Sequence, residues 1–348
     1  MGFEDNDYLA WYVPRVHAPL EIDLSSSGVT ALALGEVEVP EVDPWQAAHA
    51  FESALAEWLS VPASEVLFTP GATGGTLLAL LTLAPAGSEI LVEAPIYEPM
   101  LRQAQRLATS VARFHRRAAD GWRIDLDEVA SAITPRTRVV MITEPSNPSG
   151  TFLPRAELLA LAETAADHGA WLLVNEVYRG FCHAPSCHGA AANIVVLSSL
   201  SKLLGAYWAR LGWLSAQPET IERLRRAHLN LGMQASPNAA FGLGLMKTAR
   251  ARREEAQQTA GRGRRVVADW VEATSGISWT PPQGPGFGCL QLPRSVEDDV
   301  RFAEALHRDR GVLAVPGTHF ELPGTLRLSW LQAGERLQEG LAIIAELL

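Results

Sequence analysis

Four short segments of this chain carry residue types whose spacing suits chemistry on a small molecule. Ser199-Leu200-Ser201-Lys202 follows the apolar run Ile194 to Leu197 and precedes Gly205 and Arg210-Leu211-Gly212-Trp213. A lysine at a strand end among small hydroxyls, with an arginine eight residues on, can hold its amine in a cleft beside a bound anion. A lysine so placed can form a Schiff base. Taken alone, a surface lysine in a loop is the commoner outcome. Thr69-Pro70-Gly71-Ala72-Thr73-Gly74-Gly75 is a glycine-rich turn between a strand and a helix, where free amides and the helix dipole bind phosphate. Such turns also occur merely to pack a helix on a sheet. Glu144-Pro145-Ser146-Asn147-Pro148-Ser149-Gly150 comes straight after the run Val139 to Thr143. In the same way Asn175-Glu176-Val177-Tyr178 follows Trp171 to Val174. Polar side chains at the carboxyl ends of successive strands converge on the crevice where α/β proteins bind ligands.

The elements that must position these segments alternate regularly. Val66–Phe68, Glu89–Glu93, Ser110–His115, Val139–Thr143, Trp171–Val174 and Ile194–Leu197 read as short strands. Helical patterns over 51–59, 71–83, 99–109, 125–133 and 155–168 separate them. This is the signature of an α/β sheet covered on both faces. After Ile221 the chain becomes a long, charged, helical stretch with arginines clustered between Arg250 and Arg265. A glycine and proline cluster, 281–286, leads into a β-type run at 287–292, and helix and strand then repeat once before a terminal helix, 335–348. The lobe boundary falls near residue 245, with 45–245 as the large domain and 1–44 joining 246–348 in a smaller α+β domain.

Composition excludes several functions. The 348 residues suffice for two lobes at roughly 100 to 200 residues each. Lys and Arg number 29 against 39 Asp and Glu, a net charge of −10 that would repel nucleic acid. The longest apolar stretches, such as Leu77 to Ala86, fall far short of the roughly 20 residues of a membrane span. Met1-Gly2-Phe3-Glu4-Asp5 is acidic, with no apolar signal-peptide core behind it. Three cysteines form no disulfide framework, and a reducing cytoplasm is expected. The loop Cys182-His183-Ala184-Pro185-Ser186-Cys187-His188 offers four potential metal ligands, but its spacing fits no zinc motif and no metal is expected.

The four segments in this order resemble fold type I pyridoxal phosphate (PLP) enzymes of the class I/II aminotransferase family, over residue 20 to the C-terminus. The resemblance implies a mostly parallel seven-stranded sheet between helices, a smaller domain, pyridoxal 5'-phosphate as cofactor and a homodimer acting on an amino acid. By the same analogy Lys202 carries the cofactor as a Schiff base and moves the Cα proton. Ser199 and Arg210 hold the phosphate with the Ala72 and Thr73 backbone and the Thr73 hydroxyl. Tyr97 stacks on the pyridine ring, Asn147 and Tyr178 hydrogen-bond its phenolic oxygen, and Arg327, in Leu326-Arg327-Leu328-Ser329, grips the substrate carboxylate as a fork, with Asn147 also at the substrate.

Three positions depart from the family. Asn175 stands where relatives carry the aspartate that keeps the pyridine nitrogen protonated. An asparagine can hydrogen-bond that nitrogen but cannot supply the charge that holds a proton there. The weaker electron sink keeps a lyase, replacement enzyme or cyclase beside the aminotransferase as an alternative. A PLP-binding sensor is a further one, although its usual companion, a DNA-binding domain, finds no spare length here. Trp208, after Tyr207, replaces a common glycine and is expected to put bulk near the phosphate arginine. Val42 stands where many relatives have a tyrosine that reaches the partner's phosphate, and spacing supports neither Tyr8 nor Tyr12 as its replacement.

Overall fold

The computed structural model describes residues 6–232 and 236–348, so the acidic opening Met1–Asp5 lies outside the described residues. A seven-stranded sheet runs in the order Val66–Pro70, Leu211–Ser215, Ile194–Ser199, Trp171–Asn175, Thr137–Thr143, Glu89–Ala94, Ser110–His115. Five neighbouring strands are parallel, and Leu211–Ser215 lies antiparallel to both its neighbours.

The apolar runs become strands because both faces of this sheet are covered, and successive side chains alternate between them. Ile90, Val92, Met141, Leu173 and Val195 pack with Leu78, Leu80 and Leu83 of the helix Gly71–Leu83 on one face. Leu91, Val140, Ile142, Leu172, Val174 and Val196 pack with Leu158 and Leu161 of the helix Arg155–Asp167 on the other. The strand Leu211–Ser215 is the seventh, where sequence patterning picks out six. Its glycine and tryptophan conceal a buried strand, and the register Thr69↔Gly212 lets it pass close to the turn at Gly71.

The charged stretch after Ile221 resolves into the helices Pro218–Asn230, Ser236–Met246 and Ala249–Ala273. Beyond it, Val315–Pro316, Thr325–Ser329, Phe287–Gln291 and Ser278–Trp279 form a four-stranded antiparallel sheet. The N-terminal helix Asp7–Val16 and the short strand Ile22–Asp23 pack against this C-terminal part. Ile22 pairs with Val312, and Tyr8, Trp11 and Leu24 share a core with Leu326, Leu328 and Ile344. No helix among the described residues is long and apolar enough to cross a membrane.

Candidate active site

The carboxyl ends of the parallel strands open on a cavity of about 230 Å³. All ten residues singled out from the sequence line it: Ala72, Thr73, Tyr97, Asn147, Asn175, Tyr178, Ser199, Lys202, Arg210 and Arg327. Lys202 sits in the short helix Leu200–Leu204 that leaves the strand Ile194–Ser199. Burial first, then the Arg327 and Arg210 guanidinium groups, push its pKa down to about 7. Its Nζ lies 5.3 Å from the centre of the Tyr207 ring. An N-terminal strap crosses beside it, with the Val29 amide donating to the Lys202 carbonyl at 2.9 Å. Gly28 makes that approach possible, because a Cβ there would stand 2.7 Å from the same carbonyl and strike the Tyr207 hydroxyl.

One end of the cavity suits an anion. The helix Gly71–Leu83 begins there with no side chain capping its amides, so the Ala72 and Thr73 N–H groups lie at a positive dipole end. Gly71 has φ +75°, and a Cβ on it would lie 2.5 Å from the Arg210 guanidinium. Arg210 itself holds φ 51°, a left-handed conformation that non-glycine residues rarely adopt and that clusters at functional sites. The Ser201 hydroxyl is buried with no partner.

At the other end Asn147, Asn175 and Tyr178 face inward. Asn175 donates from Nδ2 to the Met100 sulfur at 3.0 Å and accepts the Val177 amide at 3.2 Å. The Tyr178 hydroxyl donates to Ser27 at 3.1 Å and receives a long bond of 3.5 Å from Asn147. Burial pushes the Tyr178 pKa up to about 12. Arg327, in the strand Thr325–Ser329, donates to Asn147 Oδ1 at 3.3 Å and to the Ser25 carbonyl at 2.5 Å. Its Nε is buried without a partner, and the guanidinium lies 5.0 Å from the Phe320 ring centre.

Below this wall lies a buried ion cluster. Arg116 contacts Glu93 at 3.3 Å and Glu144 at 3.5 Å, with all three side chains buried. Glu93 also accepts the Thr143 amide, and burial, offset by Arg116, pushes its pKa up to about 7. The cluster ties together the ends of the strands that lead to Tyr97 and to Asn147.

Several lining residues were not singled out for the site from the sequence: Tyr8, Leu9, Tyr12, Ser27, Met100 and Tyr207. One countable signal exists, since the chain has five tyrosines and all five line this cavity. Trp208, expected to crowd the phosphate arginine, is not among the lining residues. Its indole donates to the Leu32 carbonyl at 2.8 Å and its ring packs on Phe241, so Tyr207 is the bulky residue at the cavity. Val42 packs against the apolar cluster around Phe51. In the Cys182–His188 loop both cysteines are buried, His188 pairs with Glu65 at 2.7 Å, and Ser186 donates to Glu176.

A half-buried lysine with no carboxylate among the described lining residues, an anion cradle eight residues from it in sequence, and the unpartnered Ser201 hydroxyl and Arg327 Nε fit pyridoxal phosphate and an amino acid carboxylate. Fold and site together define a fold type I PLP enzyme. The family profile "Aminotransferase class I and II" matches residues 34–342, and the chain belongs to that family. It is similar to the probable N-succinyldiaminopimelate aminotransferase DapC of Mycobacterium tuberculosis, 30% identical over 284 residues, which are 74% of this chain and 68% of that protein. A PLP-dependent aminotransferase structure from Streptococcus suis superposes with a TM-score of 0.91 at 23% identity, over 100% of this chain and 98% of that one. The PLP-dependent cyclase OrfR superposes at 0.86 with 24% identity, over 100% and 98%. This chain is a PLP-dependent aminotransferase family enzyme that acts on amino acids.

Proposed function

We propose that Lys202 holds the cofactor covalently and moves the proton at the substrate Cα, while Arg327 orients the substrate by its carboxylate. Bound at this site, pyridoxal phosphate supplies the electron sink that loosens the bonds at the amino acid's Cα. The observation that carries the reading is the placement of Lys202 in one cavity with Arg210 and Arg327 and no acid among the described lining residues, where burial together with these surroundings lowers its pKa to about 7. A neutral amine is both the nucleophile and the proton acceptor that such chemistry needs near neutral pH. Ser199, Arg210 and the Ala72 and Thr73 amides hold the phosphate, with the Thr73 hydroxyl beside them. Tyr97 lies against the ring face, Asn147 and Tyr178 face the phenolic oxygen, and Asn175 faces the nitrogen. Arg327 offers its free Nε edge to the carboxylate, and Asn147, as its hydrogen-bond partner, steadies the fork.

The absorbance spectrum tests this. The purified holoprotein should show a visible band that Lys202→Ala removes, and addition of a reacting amino acid should change it. A band that survives Lys202→Ala refutes the assignment.

Transamination is the leading reaction. One observation favours a second reading, elimination, replacement or cyclisation on the same scaffold. Asn175 is held by Met100 and Val177 in the place of an acid and brings no negative charge to the ring nitrogen. Product analysis separates the two: a keto acid, with the amine left on the cofactor, belongs to transamination, and turnover without an amino acceptor belongs to the second. We also propose a homodimer in the cytoplasm, with 45–245 as the cofactor-binding domain and 1–44 plus 246–348 as the smaller one. Three free, buried cysteines suit a reducing compartment.

A further inference from the structure

We infer that the substrate side chain is uncharged and aromatic, and that Tyr8, Leu9 and Tyr12 of the N-terminal helix select it. This rests on the reading of Lys202 and Arg327 above and narrows its substrate. Of the five tyrosines at the cavity, Tyr97 and Tyr178 face the cofactor in that reading. Tyr207 donates its hydroxyl to the Val29 carbonyl at 3.0 Å and so holds the strap beside Lys202. Tyr8 and Tyr12 remain, both lining the cavity, Tyr12 with its hydroxyl fixed by a 3.1 Å hydrogen bond with Ser26. Their spacing of four residues puts them on one face of the helix Asp7–Val16, stacked at 5.3 Å with ring planes 10° apart. Tyr8 meets Tyr97 edge-on at 5.6 Å, so an aromatic wall continues from the cofactor end to the helix. Such a wall offers a further ring the offset and edge-on contacts that aromatic groups prefer. Leu9 extends the same wall with an apolar side chain.

Charge points the same way. Three cations line the cavity, and the reading above uses each one: Arg210 for phosphate, Arg327 for the α-carboxylate and Lys202 for the cofactor. An acidic side chain would need a further cation, and the described lining holds none. A basic side chain would face Arg327 with no acid to offset it, since neither aspartate nor glutamate is among the described lining residues. Asp23 does not line the cavity, and its carboxylate accepts from the Ser25 and Ser26 hydroxyls at 2.6 Å each. An aromatic side chain leaves no charge unmatched.

Calorimetric titration of the holoenzyme with three carboxylates that lack the α-amino group, and so cannot react, tests the inference. They are 3-phenylpropionate, glutarate and 5-guanidinopentanoate. The aromatic acid should bind roughly tenfold or more tightly than the other two. Leu9→Arg should strengthen glutarate binding several-fold, a gain that misfolding cannot imitate, and Tyr12→Ala should weaken 3-phenylpropionate. Glutarate or 5-guanidinopentanoate binding as tightly as the aromatic acid in the wild type overturns the inference, including where a second copy of the chain brings the missing charge. Failure of all three to bind a protein that carries its cofactor on Lys202 overturns it too. A protein with no cofactor on Lys202 instead refutes the reading of the site on which the inference rests.

Discussion

The cavity has two walls of different construction. The sheet wall, which presents Tyr97, Asn147, Asn175 and Lys202, stands on strands buried on both faces and is tied at its base by the Glu93–Arg116–Glu144 cluster, wholly out of water. The N-terminal wall, which presents Tyr8, Leu9, Tyr12 and Ser27, is tied by contacts nearer the surface. Glu98 accepts the Asp7 and Tyr8 amides at 3.2 and 2.7 Å, and Arg15 pairs with Glu304 at 3.0 Å. The contrast assigns the parts proposed to hold the cofactor to the cooperative core, and the parts proposed to select the substrate to a segment that can open with less of the fold disturbed.

The sheet wall breaks hardest when its base is cut. Arg116→Met strands two buried carboxylates and should lower stability by about 3–5 kcal/mol, read from urea unfolding. A loss below about 1 kcal/mol would mean that the cluster is neutralised by protonation, for which the raised Glu93 pKa leaves room. Arg327 joins the walls, since it bonds Asn147 on one side and the Ser25 carbonyl on the other. Arg327→Lys keeps the charge but loses the fork, and should cost about 10- to 100-fold in kcat/KM, the worth of one charge-assisted hydrogen bond of about 1.5–3 kcal/mol. Unchanged kcat/KM would place the substrate carboxylate elsewhere.

The same arginine sets the third outcome. Lys202 is neutral in the folded protein above about pH 7, so the apo protein should take up pyridoxal phosphate faster as pH rises through that value. Removing a nearby positive charge makes the protonated amine easier to hold. Arg327→Met should therefore move the midpoint upward, towards the ordinary lysine range, and a midpoint that stays put would leave burial and Arg210 as the causes.

The two walls also differ in how readily the sequence discloses them. Strands such as Glu89–Ala94 are legible because burial on both faces demands unbroken apolar runs, and Lys202 and Asn175 are legible because they stand where such runs end. Leu211–Ser215 is not, because Gly212 interrupts the run for a close approach to the turn at Gly71. The N-terminal wall is harder still. The helix Asp7–Val16 carries Pro14 near its end, where a proline reads as a break. Ser27 meets Tyr178 across 151 residues and Ser25 meets Arg327 across 302, so no local pattern marks either. The spacing of Tyr8, Trp11 and Tyr12 marks one helix face but does not by itself place that face at the cavity.

The smallest effect bears most directly on the contrast. Glu98 caps the helix Asp7–Val16 from outside, where a carboxylate gains from two free amides and the positive end of the helix, typically about 0.3–1 kcal/mol at a partly exposed site. Arg102, paired with the same carboxylate, shares that charge and keeps the value low. Glu98→Ala should therefore leave the urea midpoint nearly unchanged, because the helix retains its buried Tyr8 and Trp11. The population in which the segment alone is open should rise roughly twofold to fivefold. Cleavage after Arg15 by trypsin under native conditions reads that population when reclosing is fast relative to cutting. If cleavage instead tracks global unfolding in both proteins, the two walls open as one unit, and the N-terminal helix belongs with the sheet as part of a single rigid site.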